Sequence, residues 1–170
     1  MTARQFEDYH GYTIVHNKSG ARLLTGDGSL ANPETFKSLD GAKQWIDDRL
    51  KDLKGDRRAA HIGTVDGYVD ALTTQGPSKH EGKMLAAHAV APDRRMTPQQ
   101  LADVAGWKRY SSANTHYGKL GKRFAEQLNL EISEDNNHAW TRTIGEYDDA
   151  TSEWIMHEEL AQAVEQLKIR

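Results

Sequence analysis

Between Val104 and Ala125 the chain carries Lys108, Arg109, Lys119, Lys122 and Arg123 and not one acidic residue. A cationic stretch in a chain whose formal net charge is −3 is a local basic patch, and its natural counterpart is a polyanion. Lys119, Lys122 and Arg123 have the charge and reach to neutralise phosphates. Thr115 and His116, set among them, carry the donors and acceptors that meet base edges, Ser112 shares their outward face, and Lys108, Arg109 and Tyr110 stand where a turn would grip a nucleic-acid backbone. These nine residues are the candidate DNA-binding set. Other chemistry is poorly served. The chain has no cysteine, which excludes disulfides, thiolate zinc sites and a cysteine nucleophile. It has eight histidines, but His80, His88, His116, His138 and His157 offer no pair at helical i, i+4 spacing. No metal and no cofactor are therefore expected. His88 lies on an apolar helical side and reads as a core residue. There is no Gly-x-Ser-x-Gly and no glycine-rich phosphate loop ahead of a helix, so no enzymatic activity is expected.

The elements that would position the basic set are legible in "TPQQLADVAGWKRYSSANTHYGKLGKRFAEQL", residues 97–128. Thr97 as N-cap, Pro98 at the first helical position and Gln100 at the third make a strong helix start. Leu101, Val104 and Ala105 are the inward residues, and Gly106 closes the helix. A second helix starts near Ser111 or Ser112 and runs to about Leu128, with Ala113, Tyr117, Leu120, Phe124 and Leu128 on its core face. With Tyr117 pointing inward, about 100° per residue directs Ser112, Thr115, Lys119 and Lys122 outward and Arg123 to one flank. Ala102, Gly106 and Trp107 supply the small residue, turn glycine and apolar anchor of a helix-turn-helix. Two facts weigh against it: exposed helix faces are often charged simply because they are wet, and the joint "WKRYSS" is longer than the tightest such turns.

Around this pair the chain reads as α+β. Residues 1–56 form a small ββα module: strand runs at Tyr12–Val15 and Arg22–Thr25 separated by "NKSG", a turn at "TGDGS", then a helix capped by Ser38 with Leu39, Ala42, Ile46, Leu50 and Leu53 on one stripe. Such a module buries little apolar surface alone. Residues 57–170 form a mainly helical, helix-turn-helix or winged-helix-like domain. It opens with a helix marked by Ile62, Val65, Val69 and Leu72 and a second begun by the Ser78/Glu81 capping box, with Met84, Leu85, His88 and Ala89 inside. After the helix pair, "HAWTRTIGEY" and "SEWIM" read as a hairpin around "DDAT", and Leu160, Ala163, Val164 and Leu167 mark a closing helix. Trp45, Trp107, Trp140 and Trp154 read as core, Trp107 being the best placed to touch a ligand.

The charge is segregated. Residues 59–130 carry nine Lys/Arg against six Asp/Glu, and residues 131–170 carry three against ten. Glu131, Glu134, Asp135, Glu146, Asp148, Asp149 and Glu153 make the last part either a solvated acidic loop and hairpin or a surface mimicking nucleic acid. No apolar run approaches the ~18 residues that span a bilayer, and the first residues lack a signal-peptide layout. A cytoplasmic protein with no membrane partner is expected.

The stretch "LADVAGWKRYSSANTHYGKLGKRFAEQLNL", with "KMLAAHAVAPDRRMTPQQLA" before it and "EWIMHEELAQAVEQL" after it, resembles the helical region preceding the HNH nuclease domain in restriction endonucleases of bacteria. The likeness covers roughly residues 66–169. It implies an accessory, DNA-recognising part, and the nuclease core of that family has no counterpart in these 170 residues. The N-terminal "GYTIVHN" and "SLDGAKQWID" are similar to small modules encoded by phages and plasmids. Two functions follow as expectations: a non-enzymatic protein binding double-stranded DNA in a mobile-element or defence setting, or an anti-CRISPR or anti-restriction-like inhibitor of a host defence protein complex.

Overall fold

The computed structural model describes residues 4–25, 28–31, 34–133 and 139–170. Gly26 and Asp27 of the turn read from the sequence, with Glu134, Asp135 and His138, lie outside them. The chain begins with three antiparallel strands: β1 (Gln5–Tyr9), β2 (Tyr12–Asn17) and β3 (Gly20–Leu24), in the order β1-β2-β3. The module is thus βββα, one strand more than its two apolar runs indicate. β1, "QFEDY", is mostly exposed and gives no alternation to read. It is added by the two-residue turn His10–Gly11, both at positive φ, the geometry that suits the twist of a hairpin. Alternate residues Tyr12, Ile14, Ala21 and Leu23 face α1 (Leu39–Lys54) and close a small core on Ala42, Ile46, Leu50 and Leu53. Ser38 caps this helix, its hydroxyl accepting from the Gly41 amide at 3.1 Å.

The second apolar cluster is built by α2 (Val65–Thr74), α3 (Lys79–Val90), α4 (Pro98–Ala105), α5 (Tyr110–Leu128) and α6 (Glu158–Gln166). Its face on α2 is Tyr68, Ala71 and Leu72; Val65 and Val69 are only half-buried and Ile62 precedes the helix. On α4 Leu101, Ala102 and Ala105 point inward, whereas Val104 is exposed. All five residues of the α5 stripe are buried.

A second sheet completes the domain: β4 (Arg95–Met96), β5 (Gly145–Asp148) and β6 (Glu153–Met156), in the order β4-β6-β5. The run from α3 through β4, α4, α5, β5 and β6, with the strand between the first two helices pairing the last strand of the hairpin, is winged-helix connectivity. β4 is two residues long, too short to show a period. Residues 140–143, read as strand, form a 3₁₀ turn packed on α5. Gly121 makes that contact possible, since a Cβ there would sit 2.0 Å from the Trp140 carbonyl oxygen.

His88 locks α3, α5 and β6 together. Its Nε2 lies 2.9 Å from the Trp154 carbonyl, which only accepts, so Nε2 carries the proton and Nδ1 accepts from the Tyr117 hydroxyl at 3.0 Å. Burial pushes the ring's pKa from 6.5 down to about 4. The folded state therefore binds fewer protons than the unfolded chain between pH 6.5 and 4. Stability from this group is complete above that window and is lost as pH falls through it. Unfolding in urea should need about 2–3 kcal/mol less at pH 4.5 than at pH 7, with His157, shifted the same way by burial, adding to the slope. His88→Gln should flatten the dependence; an unfolding midpoint constant over this range in the wild type would contradict the assignment.

Candidate nucleic-acid interface

α4 starts at Thr97, whose hydroxyl accepts from the Gln100 amide at 3.2 Å while Gln100 Oε1 accepts from the Thr97 amide at 2.8 Å. It ends at Gly106, whose φ of 82° lets the Trp107 amide reach the Ala102 carbonyl at 2.8 Å. The chain then turns through Trp107, Lys108 and Arg109 into α5. Arg109 occupies the N-cap of α5 without a capping side-chain bond, and no acid lies in the first turn. The positive end of the helix dipole is therefore reinforced by Lys108 and Arg109, both exposed.

Trp107 holds this joint. Its ring stacks on His116 at 4.4 Å between centroids and leans on His80 at 5.3 Å, and His80 Nδ1 in turn lies 2.8 Å from the Ala105 carbonyl. The half-buried tryptophan thus glues α3, α4 and α5 where a tighter turn would need no glue.

The structure divides the nine sequence candidates. Thr115, Lys119 and Lys122 point outward, as the helical wheel requires, whereas Ser112, expected on the same face, is half-buried. Thr115 bonds the Ser111 carbonyl at 2.9 Å. Among the described residues Lys119 has no ion pair; Lys122 pairs loosely with Glu126 at 3.7 Å and lies over the Trp140 ring. Tyr110 is 59% exposed. Arg123 and His116 are engaged elsewhere. Arg123 Nη2 donates to Glu81 Oε2 at 2.9 Å, and His116 Nδ1 is 3.6 Å from Glu81 Oε1. Burial opposes the Glu81 charge, but the Ser78 amide and Arg123 hold its carboxyl below the usual carboxylate range. A single buried carboxylate therefore caps α3 and ties it to α5, which restricts the open cations to Lys108, Arg109, Lys119 and Lys122.

Other residues join them from outside the linear pattern. Thr97, Pro98 and Gln99 at the start of α4, Tyr110 and Asn114 on α5, and Tyr147 and Ser152 on the hairpin line a cleft of about 500 Å³. Of these only Tyr110 belongs to the sequence-derived set. Asn114 Oδ1 accepts from the Trp154 indole at 3.3 Å, and Thr97 and Pro98 are legible in the sequence only as a helix start. The acids of the hairpin are largely spoken for: Arg95 Nη1 contacts Asp148 at 2.8 Å and Glu153 at 3.3 Å, leaving Asp149 exposed at the tip.

A group of side chains able to hold a metal ion is formed by three residues outside the candidate set: His61, Glu146 and His157. Sequence spacing did not reveal it, because the three come from distant segments. No helix of the described residues is long and apolar enough to cross a membrane. Comparison with protein-family models, with curated proteins and with solved structures returned no match, so a DNA-binding reading rests on this chain's own geometry and charge.

Proposed function

We propose that the protein is a non-enzymatic binder of double-stranded DNA, acting in the mobile-element or defence setting to which its resemblance points. α5 lies in the major groove. Lys108 and Arg109 at its start and Lys119 and Lys122 along its open face meet phosphates, Ser112 and Thr115 approach base edges, and the hairpin tip and the start of α4 lie against the flanking backbone. The observation that carries this reading is the coincidence of two independent features. Of the open cations, Lys119 and Lys122 sit on the second helix of a winged helix-turn-helix, on the face turned away from its core, and Lys108 and Arg109 lie in the turn that leads into it.

The second reading, an inhibitor that docks on a host defence complex, draws on the acidic C-terminal part of the chain. Internal pairing of Asp148 and Glu153 with Arg95, and of Glu159 with Arg58, leaves less free negative charge there than the sequence suggests. One variant separates the two. Asp148→Asn, Asp149→Asn and Glu153→Gln together remove charge that repels phosphates and release Arg95, so duplex binding should strengthen, by about threefold to tenfold at low salt. Charge mimicry predicts the opposite outcome, loss of a basic protein partner. Duplex affinity that is unchanged or weaker in the triple variant counts against a hairpin beside DNA.

A further inference from the structure

His61 from the segment ahead of α2, Glu146 from β5 and His157 at the start of α6 converge, their ligating atoms all within 4.8 Å of one another. His61 Nε2 is already 2.9 Å from Glu146 Oε1. His157 is oriented by its backbone surroundings: its Nε2 lies 2.7 Å from the Arg142 carbonyl, which only accepts, so Nε2 carries the proton and Nδ1 keeps its lone pair. A ring nitrogen pinned by N–H donation to a backbone carbonyl is the outer contact that orients metal-binding histidines.

We propose that His61, Glu146 and His157 bind a divalent transition-metal ion of the zinc class, with water in the fourth position. Two imidazole nitrogens and one carboxylate are a donor set zinc accepts, and three protein ligands leave one site to solvent. Bonds of about 2.0–2.1 Å in a tetrahedron put ligand atoms about 3.4 Å apart, so the trio must adjust by about an ångström. His61 and Glu146 have the freedom to do so, their side chains being 22% and 46% exposed, while His157 is fixed. Two guanidinium groups stand close and must be accommodated. Arg142 Nε is 3.4 Å from Glu146 Oε2, leaving Oε1 for the ion. Arg58 Nη2 lies 3.5 Å from His157 Nδ1, at the limit of a hydrogen bond, and Glu159 holds that side chain on its exposed side at 2.9 Å. The ion replaces the longest of the three Arg58 contacts, the other two being to Glu159. Once bound, it ties the segment leading into α2 to the winged sheet and to α6, a cross-tie that does not depend on the DNA reading.

The test uses the full chain, freed of any affinity tag and stripped with chelator, titrated with Zn²⁺ by calorimetry and with Co²⁺ by visible absorption. One ion per chain is expected, with the intense Co²⁺ bands of tetrahedral coordination and a melting temperature raised by Zn²⁺. His157→Ala removes a buried ring and risks the fold, so the informative variants are His61→Ala and Glu146→Gln. Each should weaken Zn²⁺ by about tenfold or more and abolish the thermal shift while melting near the stripped wild type. Absence of saturable binding, or one-to-one binding that both variants retain, overturns the site and leaves the trio as an ion-pair cluster only.

Discussion

Replacing Lys119 and Lys122 together by alanine should weaken duplex DNA binding about 60-fold at 0.1 M salt. Each phosphate contact releases about 0.9 counterion, which is worth about 0.9 decade of affinity at that concentration, and two contacts therefore give close to 1.8 decades. The log–log salt slope should shrink by about the same 1.8. Both side chains are exposed, and the interactions lost are the loose Lys122–Glu126 pair at 3.7 Å, of a kind worth about 0.3–0.5 kcal/mol, and the Lys122 contact over the Trp140 ring, of a kind worth about 0.5–1 kcal/mol at an exposed site. The melting temperature should accordingly move by no more than about 5 °C. Anisotropy titration and a thermal melt on the same sample check both halves. A large stability loss would mean that the face is structural, and unchanged affinity would remove these lysines from the interface.

Asp70→Ala should cost about 3–5 kcal/mol of stability, the usual consequence of removing one partner of a buried charged network. Asp70 is 6% exposed on α2 and accepts from Arg49 Nε at 2.7 Å, Tyr12 hydroxyl at 2.5 Å and Gln127 Nε2 at 3.0 Å. Gln75 donates to Gln127 at 2.8 Å and extends the network. Its members come from β2, α1, α2 and α5, so this one carboxylate joins the N-terminal module to the helical domain. Burial, with Asp70 beside it, already raises the Tyr12 pKa, and the substitution would leave that phenol and the Gln127 amide without their acceptor. With a urea slope of about 2 kcal/mol/M, the midpoint should fall by about 2 M. Arg49→Ala, removing a half-exposed partner, should cost less, and the double variant should cost less than the sum. A shift below about 1 kcal/mol for Asp70→Ala would mean that the network does not hold the two parts together.

What the sequence reveals and what it hides divide along a physical line. Helix starts and stops are local chemistry: Ser38, the Ser78/Glu81 and Thr97/Gln100 boxes and Gly106 act within four residues of themselves, and the structure has each where it was expected. The α5 stripe is equally plain, since five apolar residues at helical spacing admit one orientation. Hidden features depend on partners far along the chain. β1 and β4 exist because β2 and β6 offer them edges, and neither has a pattern of its own. The strand-like run at residues 140–143 coils instead because Gly121, about twenty residues earlier, admits the Trp140 carbonyl. Glu81 is recognisable as a capping residue, but nothing in its neighbourhood announces that Arg123 and His116 will turn onto it and leave the candidate interface. His61, Glu146 and His157 meet only after the winged sheet has formed.

The central claim, that this winged helix-turn-helix binds duplex DNA through the open face of α5, is tested most directly by measuring the affinity of the full chain for duplex DNA across a range of salt concentrations. The account predicts a straight log–log plot with a slope of about −3 to −4, as four open cations, Lys108, Arg109, Lys119 and Lys122, would give. Undetectable binding at low salt, or an affinity indifferent to salt, would contradict it.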